Sequence, residues 1–241
     1  MKRGAQNMAI RESNLYLLQE YDLFGISDQH LVSFSKPTLK VHPQLVPALS
    51  ALTQKAAEAG FDMRIASGFR SFERQLLIWN NKASGVRSVL DQFGQPIALT
   101  SLKEYQQVFA ILRWSALPGA SRHHWGTDID VYDVSRMPAD YQLQLTMEET
   151  QGNGYCSAFH RWLTQELQRS PNGFFRPYVA GVGGIAPEPW HLSYAPLARS
   201  FATQLTEASL RKIIKETDIA LKGSILKNLR KIFNKYIKPY Q

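Results

Sequence analysis

The spacing of apolar positions along the chain changes several times, and each change marks an element. From Pro47 to Gly60, Leu49, Leu52, Ala56 and Ala59 recur at helical spacing, and Gly60 stands where a left-handed cap ends a helix. Phe61 to Ser67 then alternates as a short strand does, stopping at Ser67-Gly68. A helix is predicted from about Ser71 to Lys82, with Leu76, Leu77 and Trp79 available for packing. Strand, glycine turn and helix in that order place Arg70 at a rigid junction, pointing out at the end of a sheet. Residues 83–100, with Gly85, Gly94 and Pro96, read as a loop. Residues 101–113 read as a helix with Ser101 as N-cap and Glu104 in capping-box register.

After the Pro118-Gly119 break, Thr127 to Tyr132 alternates again. A strand there puts Asp128 and Asp130 on one face, and Ile129 and Val131 on the other. Residues 157–169 form an amphipathic helix, with Phe159, Leu163 and Leu167 on its apolar side. Residues 9–24 have mixed helical character, and Pro37, Pro43 and Pro47 favour extended segments and turns. Two further helices are expected at Leu205–Leu221 and Ser224–Ile237, separated near Gly223. The second sets Ile225, Leu229, Ile232 and Phe233 against Lys227, Arg230, Lys231 and Lys235.

Composition bounds this picture. Apolar residues make up 44% of the 241 and charged residues 20%, which describes a globular chain and excludes a disordered one. No run of 18 apolar residues occurs, so no membrane-spanning helix is expected. The amino terminus starts basic, but Arg11, Glu12, Glu20 and Asp22 interrupt any apolar stretch. The expectation is therefore no signal peptide and a cytoplasmic location. Cys156 is alone, which excludes an internal disulfide framework and a cysteine-rich metal site. Of the net charge of +8, residues 201–241 hold +6 (nine Lys/Arg against three Asp/Glu). The basic balance belongs to the tail and is no nucleic-acid footprint over the rest of the chain. That tail has three readings: docking on the main domain with a solvated basic face, lying on an anionic membrane surface, or meeting an acidic polymer.

The candidate chemistry lies in two polar clusters, Ser121-Arg-His-His-Trp-Gly-Thr-Asp-Ile-Asp130 and Glu188-Pro-Trp-His-Leu-Ser-Tyr194. Imidazoles and carboxylates are the groups from which zinc sites are built, with three protein ligands and one open position when the site is catalytic. Two histidines and one aspartate fill those places and leave a glutamate over as a base. Gly126 permits a sharp bend that brings His123 back over Asp130. His124 is a rival ligand, but neighbours in an extended segment face opposite ways. Pro189 makes Glu188 to His191 an extended or kinked segment, and spacing alone does not show that both residues face one metal.

Ser121-x-His123-x-x-Gly126-x-x-x-Asp130 and Glu188-x-Trp190-His191-x-x-Tyr194 resemble the paired signatures of the VanY-type D-alanyl-D-alanine carboxypeptidases. These are zinc peptidases related to the D-Ala-D-Ala dipeptidases and the LAS peptidoglycan hydrolases. Ser67-Gly-Phe-Arg70-Ser71 with Gln75 is similar to that family's third element, and the three motifs stand in the family's order. The resemblance implies an α+β fold, a small antiparallel sheet with flanking helices, to which this chain adds a helical C-terminal extension. It divides the chain into a catalytic domain over residues 1–202 and a basic helical segment over 203–241.

The resemblance implies that His123, Asp130 and His191 hold Zn²⁺ and that Glu188 is general base. Arg70 would stabilise an oxyanion or anchor the peptide, and Ser121 and Gln75 would bind substrate. The implied substrate is a peptidoglycan stem peptide ending in D-Ala-D-Ala, which places the activity at the cell envelope. L,D-carboxypeptidase or L-alanyl-D-glutamate endopeptidase activity is the nearest alternative. An envelope- or nucleic-acid-binding protein with a relic metal site is the non-enzymatic one. The sequence departs from the family pattern at Asp128, where alanine is more usual. That carboxylate could orient His123 or His191, place charge in the substrate pocket, or be a solvated strand residue. Trp190 and Tyr194 are read as core aromatics.

Overall fold

The structure, a computed structural model, describes residues 21–169 and 172–241. The helical character read at residues 9–24 falls, up to residue 20, outside the described residues. In chain order the elements begin with a hairpin, β1 (Val32–Phe34) and β2 (Lys36–Val41), followed by α1 (Val46–Glu58) and β3 (Met63–Ser67). Then come α2 (Phe72–Ala83), β4 (Val89–Leu90), β5 (Pro96–Ile97), α3 (Glu104–Leu112), β6 (Asp128–Asp133), α4 (Met147–Thr150) and α5 (Ser157–Arg169). The chain finishes with β7 (Phe174–Phe175), β8 (His191–Tyr194), α6 (Ala195–Gln204), α7 (Glu207–Glu216) and α8 (Lys222–Tyr236). The main sheet has the order β3-β6-β8-β7, antiparallel at every pairing.

Alternation in β6 and β8 sorts the two faces of this sheet. Ile129, Val131 and Leu192 point one way and join Leu49, Leu52 and Ala56 of α1 and Phe159 and Leu163 of α5 in one apolar cluster. Asp128, Asp130, His191 and Ser193 therefore point the other way. A second cluster gathers Trp79 of α2, Val108 and Ile111 of α3, and Ile225, Leu229 and Ile232 of α8. Each of those six is fully buried, and burying a side chain of this size contributes about 1.5–3 kcal/mol. The last helices are also gripped by α2 through hydrogen bonds. Trp79 Nε1 donates to the Ala220 carbonyl at 3.1 Å, and Asn80 Oδ1 accepts from the Ala220 N–H at 2.9 Å.

Several boundaries differ from the sequence reading. Ser101 is not the cap of α3; its hydroxyl donates to the Ala98 carbonyl at 2.7 Å and closes a preceding 3₁₀ turn, Leu99–Ser101. The cap is Lys103, whose N–H is met by Gln106 Oε1 at 3.1 Å. The loop at 83–100 contains the β4–β5 hairpin, its turn held by Asp91 Oδ1, which accepts from the N–H groups of Phe93 and Gln95. The break between the last two helices falls at 217–221, where Leu221 is left-handed (φ 64°), and Gly223 lies inside the first turn of α8. Helix α6, directly after the second cluster, was not anticipated.

His160 on α5 gives the fold a pH signature. It is 5% exposed beside the Phe159 ring, and its Nδ1 has no hydrogen-bond partner among the described residues. Burial, with the Arg176 cation adding repulsion, pushes its pKa down to about 3. The unfolded chain binds a proton near pH 6.5 that the folded chain refuses. Stability from this group is therefore complete above that pH and declines towards pH 3, by about 1.4 kcal/mol per pH unit. Urea unfolding at stepped pH should show His160→Gln with a flatter acid slope than the parent between pH 6.5 and 4. An unchanged slope would mean that other groups carry the acid lability.

Candidate active site

The site is built on the pairing of β6 with β8, which sets Asp130 directly opposite His191 and Asp128 opposite Ser193. Cross-strand partners share a face, so one register fixes both pairs. On its other side Asp130 is opposite Ser67, next to an irregularity in the β3–β6 ladder. His123 arrives from a 3₁₀ turn, Arg122–Trp125, that closes on Gly126 in the left-handed conformation (φ 66°). A Cβ on Gly126 would lie 2.6 Å from Leu31 Cδ2, so the bend requires glycine.

His123 Nε2 then stands 3.3 Å from Asp130 Oδ2, and His191 Nδ1 stands 3.2 Å from Asp130 Oδ1. One ligand atom from each of the three lies within 4.8 Å of the others. The far nitrogens are both engaged: His123 Nδ1 with the Gly68 carbonyl and His191 Nε2 with Asp128 Oδ1, each at 2.9 Å. A carbonyl and a carboxylate accept only, so each ring donates there and turns its other nitrogen towards Asp130. Asp128 thus orients His191, not His123. It is wholly buried and also accepts from Thr127 Oγ1 and Arg122 Nε. Burial opposes its charge, but Arg122, His191 and Thr127 outweigh that and hold it well below the usual carboxylate range.

His124 is turned away. Its Nδ1 bonds the Arg70 carbonyl at 2.6 Å, and its Nε2 accepts from the Gly119 N–H at 3.1 Å. Both nitrogens are used, and burial pushes its pKa down to about 3. The segment is a 3₁₀ turn, not extended, so His123 and His124 diverge because successive side chains rotate by about a third of a turn.

The cluster opens into a cavity of 220 Å³ whose lining includes Arg70, Ser121, Glu188, Trp114, Tyr178 and Trp190. Trp190 is therefore a wall of the site as well as a buried aromatic, while Tyr194 packs on Phe174 away from it. Arg70 donates to Gln75 Oε1 at 3.1 Å and to Ser67 Oγ at 3.2 Å. Gln75 does not line the cavity: it is fully buried and its amide also donates to the Ala116 carbonyl and Ser115 Oγ. Its geometry is that of a support for Arg70, which departs from the substrate contact expected of it. Ser71 caps α2, accepting from the Arg74 N–H.

Glu188 Oε2 lies 3.6 Å from His191 Nδ1. Burial pushes its pKa up to about 7; Asp130 adds to the rise, while His191, Arg70 and Lys82 oppose it. At His191 burial disfavours charge, but the hydrogen bond to Asp128 and the nearby charge of Asp130 prevail and raise its pKa to about 9. The carboxylates draw positive charge to this spot. Asp130 Oδ1 and His191 Nδ1 are nonetheless misaligned, and neither has a hydrogen-bond partner among the described residues. Orphaned atoms of this kind are costly when buried, and an ion between them would satisfy both. A His, Asp, His donor set with a cavity on its open side fits a catalytic zinc site.

A model of the VanY family, described as D-alanyl-D-alanine carboxypeptidase, matches residues 38–197. The chain belongs to this family. An uncharacterized protein of Haemophilus influenzae is 47% identical over 98 residues, covering 39% of this chain and 67% of that protein. Among solved structures, VanYB in complex with D-alanine-D-alanine is 21% identical with a TM-score of 0.50, covering 78% of this chain and 89% of that one. A vancomycin resistance D,D-pentapeptidase VanY mutant in complex with Zn(II) is also 21% identical, with a TM-score of 0.49, covering 83% and 92%. The fold is the α+β fold of the VanY enzymes with helices added after it, and family membership indicates a peptidase acting on peptidoglycan peptides.

Sequence reasoning passed over Arg122, Ser193, Tyr178 and Trp114. Arg122 and Ser193 lie inside the quoted motifs at variable positions, and the other two lie outside them, so no spacing signalled any of the four. The ligand assignment predicts close to one zinc per chain in the purified protein. His123→Ala and His191→Ala should lose most of it, whereas His124→Ala should keep it, and elemental analysis reads all three. Full zinc in either of the first two would remove that residue from the ligand set.

Proposed function

We propose that this chain is a zinc-dependent D,D-carboxypeptidase that hydrolyses the terminal D-Ala-D-Ala bond of peptidoglycan stem peptides. The observation that carries the reading is the convergence of His123, Asp130 and His191 beside Glu188 and Arg70 in one cavity. His123, Asp130 and His191 would hold the zinc, and Asp128 and the Gly68 carbonyl would fix the orientation of the two rings. When bound, zinc supplies Lewis-acid chemistry, polarising a carbonyl and making water more acidic near neutral pH.

Glu188 takes a proton from the attacking water and returns it to the leaving amine. A pKa near 7 suits a group that must accept and then donate, and a cation beside it would move that value down. Arg70, braced by Gln75 and Ser67, keeps other N–H groups for the substrate carboxylate or the oxyanion that forms at the scissile carbonyl. At 220 Å³ the cavity is smaller than the roughly 300–1,000 Å³ of sites that enclose drug-sized ligands. That favours a small chain end, such as a D-alanine, over a bulky side chain. Membership of a family described as D-alanyl-D-alanine carboxypeptidase supports the same bond.

The test separates base from ligand. Glu188→Gln should keep its zinc and its circular dichroism while turnover of a D-Ala-D-Ala-ended muropeptide falls by about 10²–10⁴-fold. Asp130→Asn should lose zinc itself, because a neutral amide is a poor ligand. Mass spectrometry of the digested muropeptides reads the bond: loss of one D-alanine from the pentapeptide is expected. Release from a tetrapeptide, or cleavage after L-alanine, would replace the D,D assignment. Near-parental turnover by Glu188→Gln would remove Glu188 as the base.

A further inference from the structure

Arg122 lies between the metal cluster and the far end of the chain. It is 5% exposed, and its guanidinium is spread over three acceptors. Nε donates to Asp128 Oδ1 at 2.8 Å, Nη2 to Ser193 Oγ at 2.6 Å, and Nη1 to the backbone carbonyl of Tyr240 at 2.6 Å. The first acceptor is the same carboxylate oxygen that receives His191 Nε2. The third belongs to the last turn of the chain, more than forty residues beyond the end of the family match at residue 197.

Tyr240 is anchored at its other end. Its Oη donates to the Val182 carbonyl at 2.7 Å and accepts from the Ile185 N–H at 3.0 Å. The glycine-rich run before Pro187 is shaped to receive it: a Cβ on Gly183 would lie 2.3 Å from that Oη. The Tyr240 ring meets Tyr178 edge-on at 5.0 Å, and Tyr178 in turn meets the His191 ring at 4.7 Å. Two routes thus run from the C-terminal turn to one imidazole, a polar one through Arg122 and Asp128 and an apolar one through Tyr178.

We infer that the C-terminal turn is a positioning element for the metal centre, acting through Arg122 and Asp128 on His191. This rests on the zinc reading of the cluster. The turn holds the guanidinium, the guanidinium holds Asp128, and Asp128 fixes the plane of a ligand ring. Neither Arg122 nor Tyr240 lines the cavity of the reacting groups, so neither is a catalytic residue. The motif region alone would hold the three ligands less firmly than the full chain does.

Zinc affinity, measured by competition with a chromogenic chelator, tests this without reference to turnover. Deleting residues 238–241 removes the acceptor, and Arg122→Gln removes the donor. Each should weaken zinc binding by about 10–100-fold, the effect usual for loss of a group that orients a ligand. Deleting Gln241 alone puts a terminal carboxylate at Tyr240, an equally good acceptor, and should retain the parent affinity. Arg122→Lys keeps the charge but not the three-way fork and should recover part of the loss. The visible spectrum of the cobalt-loaded Arg122→Gln protein should differ from that of the parent, which a remote loss of stability would not produce. Circular dichroism checks the fold; should the four-residue deletion unfold, the two Arg122 variants decide. Parent-like affinity in both the deletion and Arg122→Gln, or in Arg122→Gln alone if the deletion unfolds, would overturn the inference. A parent that takes up no zinc overturns the zinc reading and this inference with it.

Discussion

Antiparallel pairing of β6 with β8 places Asp130 opposite His191, and the rest of the site is arranged around that pair. A slip of one residue would turn Ile129 and Leu192 towards the cavity and send both carboxylates into the apolar layer under the sheet. The register is held because Ile129, Val131 and Leu192 are buried against α1 and α5. The same alternation that makes the core makes the site, so stability and chemistry are selected together.

The opposite face carries an unusual load of buried charge: Arg122, His123, Asp128, Asp130 and His191 are all at most 5% exposed. Isolated ions there would be very costly. Partners offset that cost at two of them: Asp128 is met by Arg122, His191 and Thr127, and Arg122 by a carboxylate, a hydroxyl and a carbonyl. Removing one member of such a buried pair commonly costs about 3–5 kcal/mol, because the other is left uncompensated. The atoms left without a hydrogen-bond partner among the described residues, Asp130 Oδ1 and His191 Nδ1, lie 3.2 Å apart where the metal reading places the ion.

The helices after β8 complete this arrangement. Their apolar sides share a cluster with α2 and α3, so the helix that begins just after Arg70 is packed from the far end of the chain. Tyr236 and Tyr240 fill the concavity left by Gly183 and Gly184. The glycine run at 181–184 is a seat for aromatic rings. The basic residues lie on the outward side of α8, with Lys227 and Arg230 around a shallow groove that also reaches Lys235.

The sequence by itself determined a good deal here. Periodicity placed the strand at β6, the helices α1, α2 and α5, and which side of β6 is polar, because local spacing dictates which residues share a face. Three motifs with chemically specific residues named the family and, of the cavity's lining, Arg70, Ser121, His123, Asp130, Glu188 and His191. What the sequence left open was everything set by contact between distant segments. Whether Asp128 served His123, His191 or solvent depended on cross-strand register. Gln75 turned inward to Arg70 because α2 packs it against the Ser115-Ala116 backbone. His124 was excluded by two backbone partners from elsewhere in the chain. Arg122 met a carbonyl 118 residues away. A backbone carbonyl has no sequence signature, since every residue carries one, and only the tertiary structure decides which of them a buried arginine finds.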